Sequence, residues 1–190
     1  MLGKTRVAFA DFLEENKIDV IQKDAFNFVW IVDFPLFEKN EENLESAHHP
    51  FTRPHPDDVE LLDTEPLKMR GLHYDLVLNG NEVGGGSLRI HESELQKKIL
   101  ENVLKIESSS LSHLLKALEF GAPPHGGIAL GLDRLIAIIC NAQSIRDVIA
   151  FPKSTSGKDL MSGAPNDVSD EEKKYYHLIS SISENIKQEI

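Results

Sequence analysis

Two carboxylates flank the tip of a hairpin that the sequence predicts between residues 74 and 90. Asn79-Gly80 between apolar runs is the strongest short-range signal for a two-residue hairpin turn. Asp75 and Glu82 would then share one face as diagonal neighbours, roughly 7 Å apart or less. Carboxylates this close favour a hard cation such as Mg²⁺ carrying phosphates between them. A surface hairpin with solvated charges is the alternative. The turn predicts the following pairs: Leu78 with Asn81, Val77 with Glu82, and Leu76 with Val83.

An arginine follows the same strand and needs an irregularity to join these carboxylates. Arg89 lies seven residues after Glu82, so on a regular strand its side chain would point to the opposite face. A bulge within Gly84–Gly86 would reset the alternation and bring Ser87 and Arg89 back beside Glu82. Consecutive glycines would also let a ligand approach the backbone closely.

A second glycine pattern, GIALGLDR at 127–134, could form an open strand face. Gly127 and Gly131 leave space for a flat ring to lie against the backbone. Arg134 follows at the start of an otherwise apolar helix. Its guanidinium would serve either a buried carboxylate or a ligand, because it can stack on a base or fork onto phosphate.

The histidine pair His48-His49 is a third candidate for chemistry. Imidazoles bind carboxylates or metals, but no cysteine or second histidine pair offers zinc-ligand spacing. We therefore favour carboxylate binding over metal binding. His55 and His73 are interpreted as ordinary surface histidines, and His125 as packing beside the glycine strand.

The elements that must position these residues alternate between helices and strands. An aromatic and β-branched run at 26–35 predicts a strand buried on both faces, and the polar segment 38–58 predicts a long functional loop. Leu95, Ile99, Val103 and Leu104 are expected to face inward, and Ser169 with Glu172 forms a capping box for a final helix. The remaining predictions are helices at 4–15, 92–106, 110–120 and 133–142, and strands at 125–132 and 147–152. The fold class is α+β: a mostly antiparallel sheet flanked by helices.

Composition narrows the class of protein. The 190 residues carry a formal net charge of −11, which argues against a stand-alone nucleic-acid binder because phosphate contacts need clustered Lys and Arg. The single cysteine, Cys140, excludes a disulfide framework within the chain and is interpreted as a small buried hydrophobe. No apolar run approaches the length of a membrane span, and MLGKTRVAFADF at the amino end is not signal-like.

Four sequence strings together resemble one enzyme family. GIALGLDR resembles motif 3 of class II aminoacyl-tRNA synthetases. AHHPFT (47–52), NGNEVGGGSLRIH (79–91) and RDVIAFPK (146–153) look like aspartyl-tRNA synthetases of bacterial type. The surrounding residues are most similar to the mitochondrial branch. The resemblance runs from about residue 26 to 166 and implies part of a class II catalytic fold.

The resemblance implies an activity and a role for each candidate residue. Such enzymes activate L-aspartate with ATP to aspartyl-adenylate and transfer it to tRNA(Asp), without a nucleophilic side chain. The implied partners are aspartate, ATP, Mg²⁺ and tRNA(Asp), in a homodimer without membrane attachment. The implied location is the mitochondrial matrix, with the bacterial cytoplasm as the alternative. The implied aspartate-binding residues are His48, His49, Ser87 and Arg89; those for ATP are Glu82, Gly131, Leu132, Asp133 and Arg134; those for Mg²⁺ are Asp75 and Glu82.

The resemblance also implies that parts of the family's active site lie outside these residues. Motifs 1 and 2 and the anticodon-binding barrel are not found, so this polypeptide alone is expected to be inactive. Residues 1–24 are expected to end an inserted domain, 25–166 to form the second half of the catalytic core, and 167–190 to form a helical extension. The alternatives are an aspartate-adenylating ligase of the same fold and a non-catalytic synthetase-like module.

Overall fold

The computed structural model describes residues 2–20, 22, 25–41 and 43–178. The chain divides into two compact units, Met1–Leu135 and Ile136–Ile190. All candidate site residues fall in the first unit. The expected domain boundaries at 24/25 and 166/167 stay predictions.

A four-stranded antiparallel sheet carries the site. Its hairpin consists of β4 (His73–Leu78) and β5 (Asn81–Leu88), as predicted. Asn79 and Gly80 have φ angles of 48° and 83°, as expected for a turn with two positive φ values. The sheet order is β1-β4-β5-β6, in which β1 is Phe28–Ile31 and β6 is Gly126–Leu130. The predicted antiparallel sheet is therefore confirmed.

The burial predicted for the first strand is wrong. β1 spans four residues rather than ten, and its side chains are 40–55% exposed. It pairs only with β4 in the described part of the chain, so it forms an edge of the sheet. An aromatic and β-branched run predicts a strand but does not reveal whether other elements cover that strand.

The predicted long loop at 38–58 is also largely wrong. β2 (Phe37–Asn40) and β3 (Asn43–Ser46) form a separate two-stranded antiparallel sheet. A 3₁₀ helix, Pro56–Asp63, follows, with a second short one at Pro66–Lys68. Residues 47–55 remain as the irregular segment that contains both histidines of the pair.

The main hydrophobic cluster lies between the small sheet and the next helices. α2 (Ser93–Lys98) continues as a π-helical turn, Ile99–Val103, and α3 is Ser112–Glu119, followed by Gly121 with a φ of 93°. The expected inward residues Leu95, Ile99, Val103 and Leu104 all belong to this cluster. Its buried members are Leu36, Phe37, Leu62, Met69, Ile90 and Ile99. The core therefore anchors the segments on either side of the irregular histidine segment.

The remaining elements include two corrections. The helices at the two ends of the described chain are α1 (Leu2–Glu15) and α5 (Asp170–Tyr175), and α4 is Leu132–Ile139. Cys140 follows the last residue of α4 and is exposed. The prediction that it is a small buried hydrophobe is therefore wrong. The predicted strand at 147–152 is absent from the described chain. A capping box between Ser144 and Asp147 starts a short 3₁₀ helix, Ile145–Asp147, and residues 148–152 after it are irregular.

The capping box between Ser169 and Glu172 at the start of α5 is confirmed. Residues 179–190, which include Ile179, Ile182 and Ile186 of the predicted final helix, lie outside the described residues. No helix within the described ranges is long and apolar enough to cross a membrane.

Candidate functional site

A β-bulge in β5 resets the alternation of side chains, one residue earlier than predicted. Leu78 pairs with Asn81 and Val77 with Glu82, as expected, but Leu76 pairs with Gly84 rather than Val83. Val83 is therefore the extra residue. Its side chain is 2% exposed, and its carbonyl accepts a hydrogen bond from the Gly131 amide at 2.8 Å. The predicted location within Gly84–Gly86 is thus wrong, because burial of Val83 places the irregularity there.

The bulge brings the predicted residues of both strands onto one face. In the register, Asp75 lies opposite Gly85, and His73 opposite Ser87. A Cβ built on Gly85 would lie 2.9 Å from Asp75 Oδ1 and 3.7 Å from Glu82 Oε1. The two carboxylates therefore converge above the backbone of Gly85, and the prediction that they share a face is confirmed.

The two carboxylates fit a magnesium ion that takes its other ligands from phosphates and water. Mg²⁺ is commonly held by one or two protein carboxylates together with substrate phosphates. Among the described residues, no three His, Cys, Asp or Glu side chains converge as a metal-binding group. A complete protein cage is therefore not formed by this part of the chain, whereas two oxygens for a phosphate-bound ion are.

Arg89, Ser87 and His49 form a compact polar cluster further along the same face. The Ser87 side chain is fully buried, and its Oγ lies 3.3 Å from His49 Nε2. Arg89 Nη1 lies 3.0 Å from His49 Nδ1 and also contacts Nε2. The Arg89 amide donates to the His125 carbonyl at 2.9 Å, which fixes the backbone at the end of β5. A permanent cation, a hydroxyl and an imidazole thus converge on one point.

Burial and the neighbouring Arg89 charge, with a contribution from His48, lower the pKa of His49 to about 4. At neutral pH the imidazole is therefore uncharged beside the guanidinium. The cluster has one net positive charge, carried by Arg89. That charge suits a carboxylate ligand.

His48 belongs to a column of stacked rings, and this column includes a residue that the sequence interpretation missed. The His48 ring stacks on His73 at 5.2 Å with an interplanar angle of 1°. His73 in turn stacks on Phe34 at 4.7 Å and 16°. The interpretation of His73 as a surface residue is wrong, since it is 7% exposed. Strand alternation offered a signal, because His73 precedes Asp75 by two residues and so shares its face.

The second predicted glycine pattern provides an open surface beside this face. All five residues of β6 are exposed, and a Cβ on Gly127 would meet nothing within 4 Å. Gly127 pairs with Ser87 across β5, so its open side is the face of the polar cluster. The strand face is therefore open at Gly127, and its use by a flat ring stays a prediction. The backbone at Gly131 does not require glycine, since a Cβ there would make only ordinary van der Waals contacts of 3.6 and 3.8 Å.

Arg134 links the start of α4 to the hairpin. It is exposed and donates a hydrogen bond from Nη1 to the Glu82 carbonyl at 2.5 Å. Two roles were predicted for this arginine, pairing with a buried carboxylate or binding a ligand. Its hydrogen bond in the described part of the chain goes to a backbone carbonyl and not to a carboxylate, which does not support the first role. Leu132 and Asp133 are exposed beside it in the first turn of α4.

An ion pair that the sequence did not indicate fixes the segment behind the site. Arg70 forks onto Asp58, with Nε–Oδ2 and Nη2–Oδ1 distances of 2.8 and 2.9 Å, and the Arg70 amide donates to the same carboxylate. Asp58 is 8% exposed, and these bonds hold its pKa well below the usual range. No periodic pattern connects two residues twelve positions apart across a loop, so spacing alone could not find the pair.

A comparison with family models decides the family. The model described as tRNA synthetases class II (D, K and N) matches residues 7–155. The chain belongs to this family. The α+β fold predicted from sequence is accordingly that of part of a class II catalytic domain.

Relatives of this class II chain include mitochondrial and bacterial aspartate ligases. It is 61% identical over 181 residues to the mitochondrial aspartate–tRNA ligase of Rattus norvegicus, covering 94% of this chain and 28% of the relative. It is 50% identical over 184 residues to the aspartate–tRNA(Asp/Asn) ligase of Opitutus terrae, covering 94% of this chain and 31% of the relative. The chain thus spans about three-tenths of the length of these relatives.

Solved structures of the family share the fold. Aspartyl-tRNA synthetase from Entamoeba histolytica superposes with a TM-score of 0.56 at 21% identity, covering 81% of this chain and 26% of the other. Asparaginyl-tRNA synthetase from Pyrococcus horikoshii superposes with a TM-score of 0.53 at 18% identity, covering 77% and 34%. At these identities the likeness concerns the fold alone.

Proposed function

We propose that this chain supplies part of the active site of an aspartate–tRNA ligase. The reaction would be ATP-dependent activation of L-aspartate to aspartyl-adenylate, followed by transfer to tRNA(Asp). The observation that carries the proposal is the convergence of Arg89, Ser87 and His49 on the sheet face that also holds Asp75 and Glu82. The 61% identity to a mitochondrial aspartate–tRNA ligase supports the choice of amino acid.

Arg89 would recognise the side-chain carboxylate of aspartate. A guanidinium presents a planar fork that matches a carboxylate with two charge-assisted hydrogen bonds. Ser87 and His49 would supply further polar contacts, and His48 would close over the amino acid from its loop. In this structure His49 occupies the space against Arg89. His49 contacts the guanidinium through Nη1, so the Nε–Nη2 edge would receive the substrate carboxylate while His49 stays in place.

The same arrangement would discriminate against asparagine. Replacing the carboxylate by an amide would place N–H donors against the donors of Arg89 and leave the half-buried cation poorly paired. His49 strengthens this effect, because its uncharged state leaves Arg89 as the only cation of the cluster.

The carboxylates and the glycine strand would hold Mg²⁺ and ATP. Asp75 and Glu82 would bind the ion, which would neutralise phosphate charge when bound. Glu82 and the backbone around Gly131 would contact the nucleotide, with Leu132 and Asp133 beside them. Arg134 would lie over the base or the terminal phosphate, since its guanidinium is exposed and already fixed by one bond to the hairpin. No nucleophilic side chain is needed: the chain's residues would position the aspartate carboxylate in line with the α-phosphate.

The wider context belongs to the same proposal. The mitochondrial relatives, from rat, cattle, human and mouse at 60–61% identity, support the mitochondrial matrix as the location. The bacterial relative at 50% identity keeps the bacterial cytoplasm as the alternative. The acceptor would be tRNA(Asp), and the ligase would act as a homodimer, as the family resemblance implies.

The proposal is tested by Arg89→Gln in a full-length ligase that contains this segment. Charged hydrogen bonds of this kind contribute about 1.5–3 kcal/mol, so KM for aspartate should rise roughly 10- to 150-fold. KM for ATP should change little, because Arg89 lies at the other end of the face from Asp75 and Glu82.

Arg6→Gln is the matched control, since Arg6 is an exposed arginine on α1. It should leave both constants unchanged in pyrophosphate exchange. An Arg89→Gln enzyme that keeps the wild-type KM for aspartate would exclude the proposed role.

A further inference from the structure

His73 occupies a central place that the proposed roles do not use. It is the first residue of β4, directly opposite Ser87 in the register, and is 7% exposed. Phe34 lies on one side of its ring and His48 on the other. The ring therefore joins the sheet to two segments that lie outside it.

His48 depends on this stack for its orientation. It lies in the irregular segment 47–55 and is exposed. Within the described residues, its ring contacts are the parallel stack on His73 and a tilted contact with His49 at 4.4 Å. His73 is the only one of these two partners that belongs to a strand. His73 thus links the His48 ring to the sheet, while His49 reaches β5 directly through Ser87 and Arg89.

The ring of His73 is packed on both faces, by Phe34 and by His48. Its Nδ1 is buried and has no hydrogen-bond partner among the described residues. An unpaired buried nitrogen costs stability, so the ring is held by its faces. Gly71 makes this arrangement fit, because a Cβ there would lie 2.6 Å from that nitrogen and 3.2 Å from Leu36 Cδ1.

We infer that His73 is a positioning residue for the amino-acid subsite, acting by stacking on His48 and so holding His49 against Ser87 and Arg89. The functional part of this inference rests on the proposed aspartate site. The inference assigns no proton transfer and no direct substrate contact to His73. What the position requires is a flat ring, parallel to that of His48.

Two variants of His73 distinguish the effect of a flat ring from the effect of side-chain size. His73→Phe keeps a planar ring between Phe34 and His48, whereas His73→Leu keeps an apolar side chain of similar size without a flat face. Thermal unfolding of both variants checks that each still folds.

The first measurement uses this chain alone and needs no activity. NMR of the wild type should show a ring-current shift on the His48 ring protons and a nuclear Overhauser effect between His49 and Ser87. Both should be lost in His73→Leu and kept in His73→Phe. If His73→Leu retains both signals, the inference is overturned.

The second measurement uses a full-length ligase that contains this segment. KM for aspartate should rise about 10- to 100-fold in His73→Leu, with KM for ATP unchanged, and His73→Phe should restore it to near the wild-type value. An unchanged KM in His73→Leu, or a His73→Phe enzyme as impaired as His73→Leu, would overturn the inference. Failure of the wild-type ligase to use aspartate would instead refute the proposed function, while the NMR comparison would still decide the stack.

Discussion

His49 shows how burial and a neighbouring charge together determine the charge of a side chain. An ordinary histidine has a pKa near 6.5 and is partly protonated at pH 6. Burial and the Arg89 guanidinium lower the pKa of His49 to about 4. The residue that would bind a substrate carboxylate therefore also helps burial to keep the adjacent imidazole uncharged.

We expect NMR titration of this chain to find a His49 pKa near 4 and a higher pKa in the Arg89→Gln variant. The increase should be partial, because burial is the larger cause and remains in the variant. Arg6→Gln should leave the titration unchanged. A His49 pKa that does not move in Arg89→Gln would contradict the assigned electrostatic cause.

The same shift predicts a dependence of stability on pH. The folded pKa lies below the unfolded value, so the unfolded state binds the proton more tightly. The contribution of neutral His49 to stability is therefore complete above about pH 6.5 and is lost as the pH falls towards 4. The Tm of His49→Gln should consequently fall less than that of the wild type between pH 7 and 5.

At this scale, strand alternation revealed much of the site but not all of it. The shared face of Asp75 and Glu82 follows from a two-residue turn, and the return of Ser87 and Arg89 needs only one extra residue. The sequence did not show which residue forms the bulge. Val83 is buried there, and burial depends on tertiary packing that strand alternation does not reveal. His73 could have been found by the same alternation. Asp58 and Arg70 could not, since their contact depends on the path of an irregular segment.

Among the elements, β5 and β6 approach each other closely on the side away from the polar cluster. A Cβ on Gly86 would overlap the carbonyl oxygen of Gly127. Backbone cannot yield as the end of a flexible side chain can. Gly86 is thus required for the two strands to pair, while Gly127, opposite Ser87, has open space above it.

Gly86→Ala should destabilise the protein by about 1–3 kcal/mol, because the added methyl group must push β6 away from β5. Gly127→Ala is the matched change on the neighbouring strand and should alter stability by less than about 0.5 kcal/mol. Urea denaturation of the two variants measures both values. Equal stabilities would show that the strands can separate without cost.

The elements were predicted best where local chemistry determines them. Asn79-Gly80 specifies its turn through positive φ angles, and Ser169 with Glu172 specifies a helix start. The burial of β1 was not predictable, because an apolar strand looks alike whether at the centre or edge of a sheet. The segment DVIAFP (147–152) was predicted wrongly as a strand from its apolar residues, whereas the structure has a capped 3₁₀ helix at Ile145–Asp147 followed by irregular chain.

At the scale of the whole molecule, the chain spans 28–31% of the length of its aspartate ligase relatives. The described residues supply the proposed aspartate-binding cluster and two carboxylates, and under that proposal the remaining contacts to substrate would come from other parts of a full-length ligase. The net charge of −11 also gives this segment little attraction for the tRNA backbone.

The 190-residue polypeptide by itself is expected to show no aspartate-dependent pyrophosphate exchange above background. A full-length ligase containing the segment serves as the positive control in the same assay. Robust exchange by the short polypeptide would mean that its residues form a complete site.

The bulge at Val83 has a consequence for how this strand can vary among related proteins. It divides β5 into two stretches, one ending in Glu82 and one leading to Arg89, and its extra residue lets side chains seven positions apart face the same side. Deletion of Val83 would remove the bulge together with its extra residue, so Glu82 and Arg89 would be six positions apart on a regular strand and would still share a face. A one-residue deletion at the bulge should therefore be tolerated, whereas a one-residue insertion or deletion elsewhere between Glu82 and Arg89, with the bulge kept, would separate the proposed nucleotide end of the site from the proposed amino-acid end.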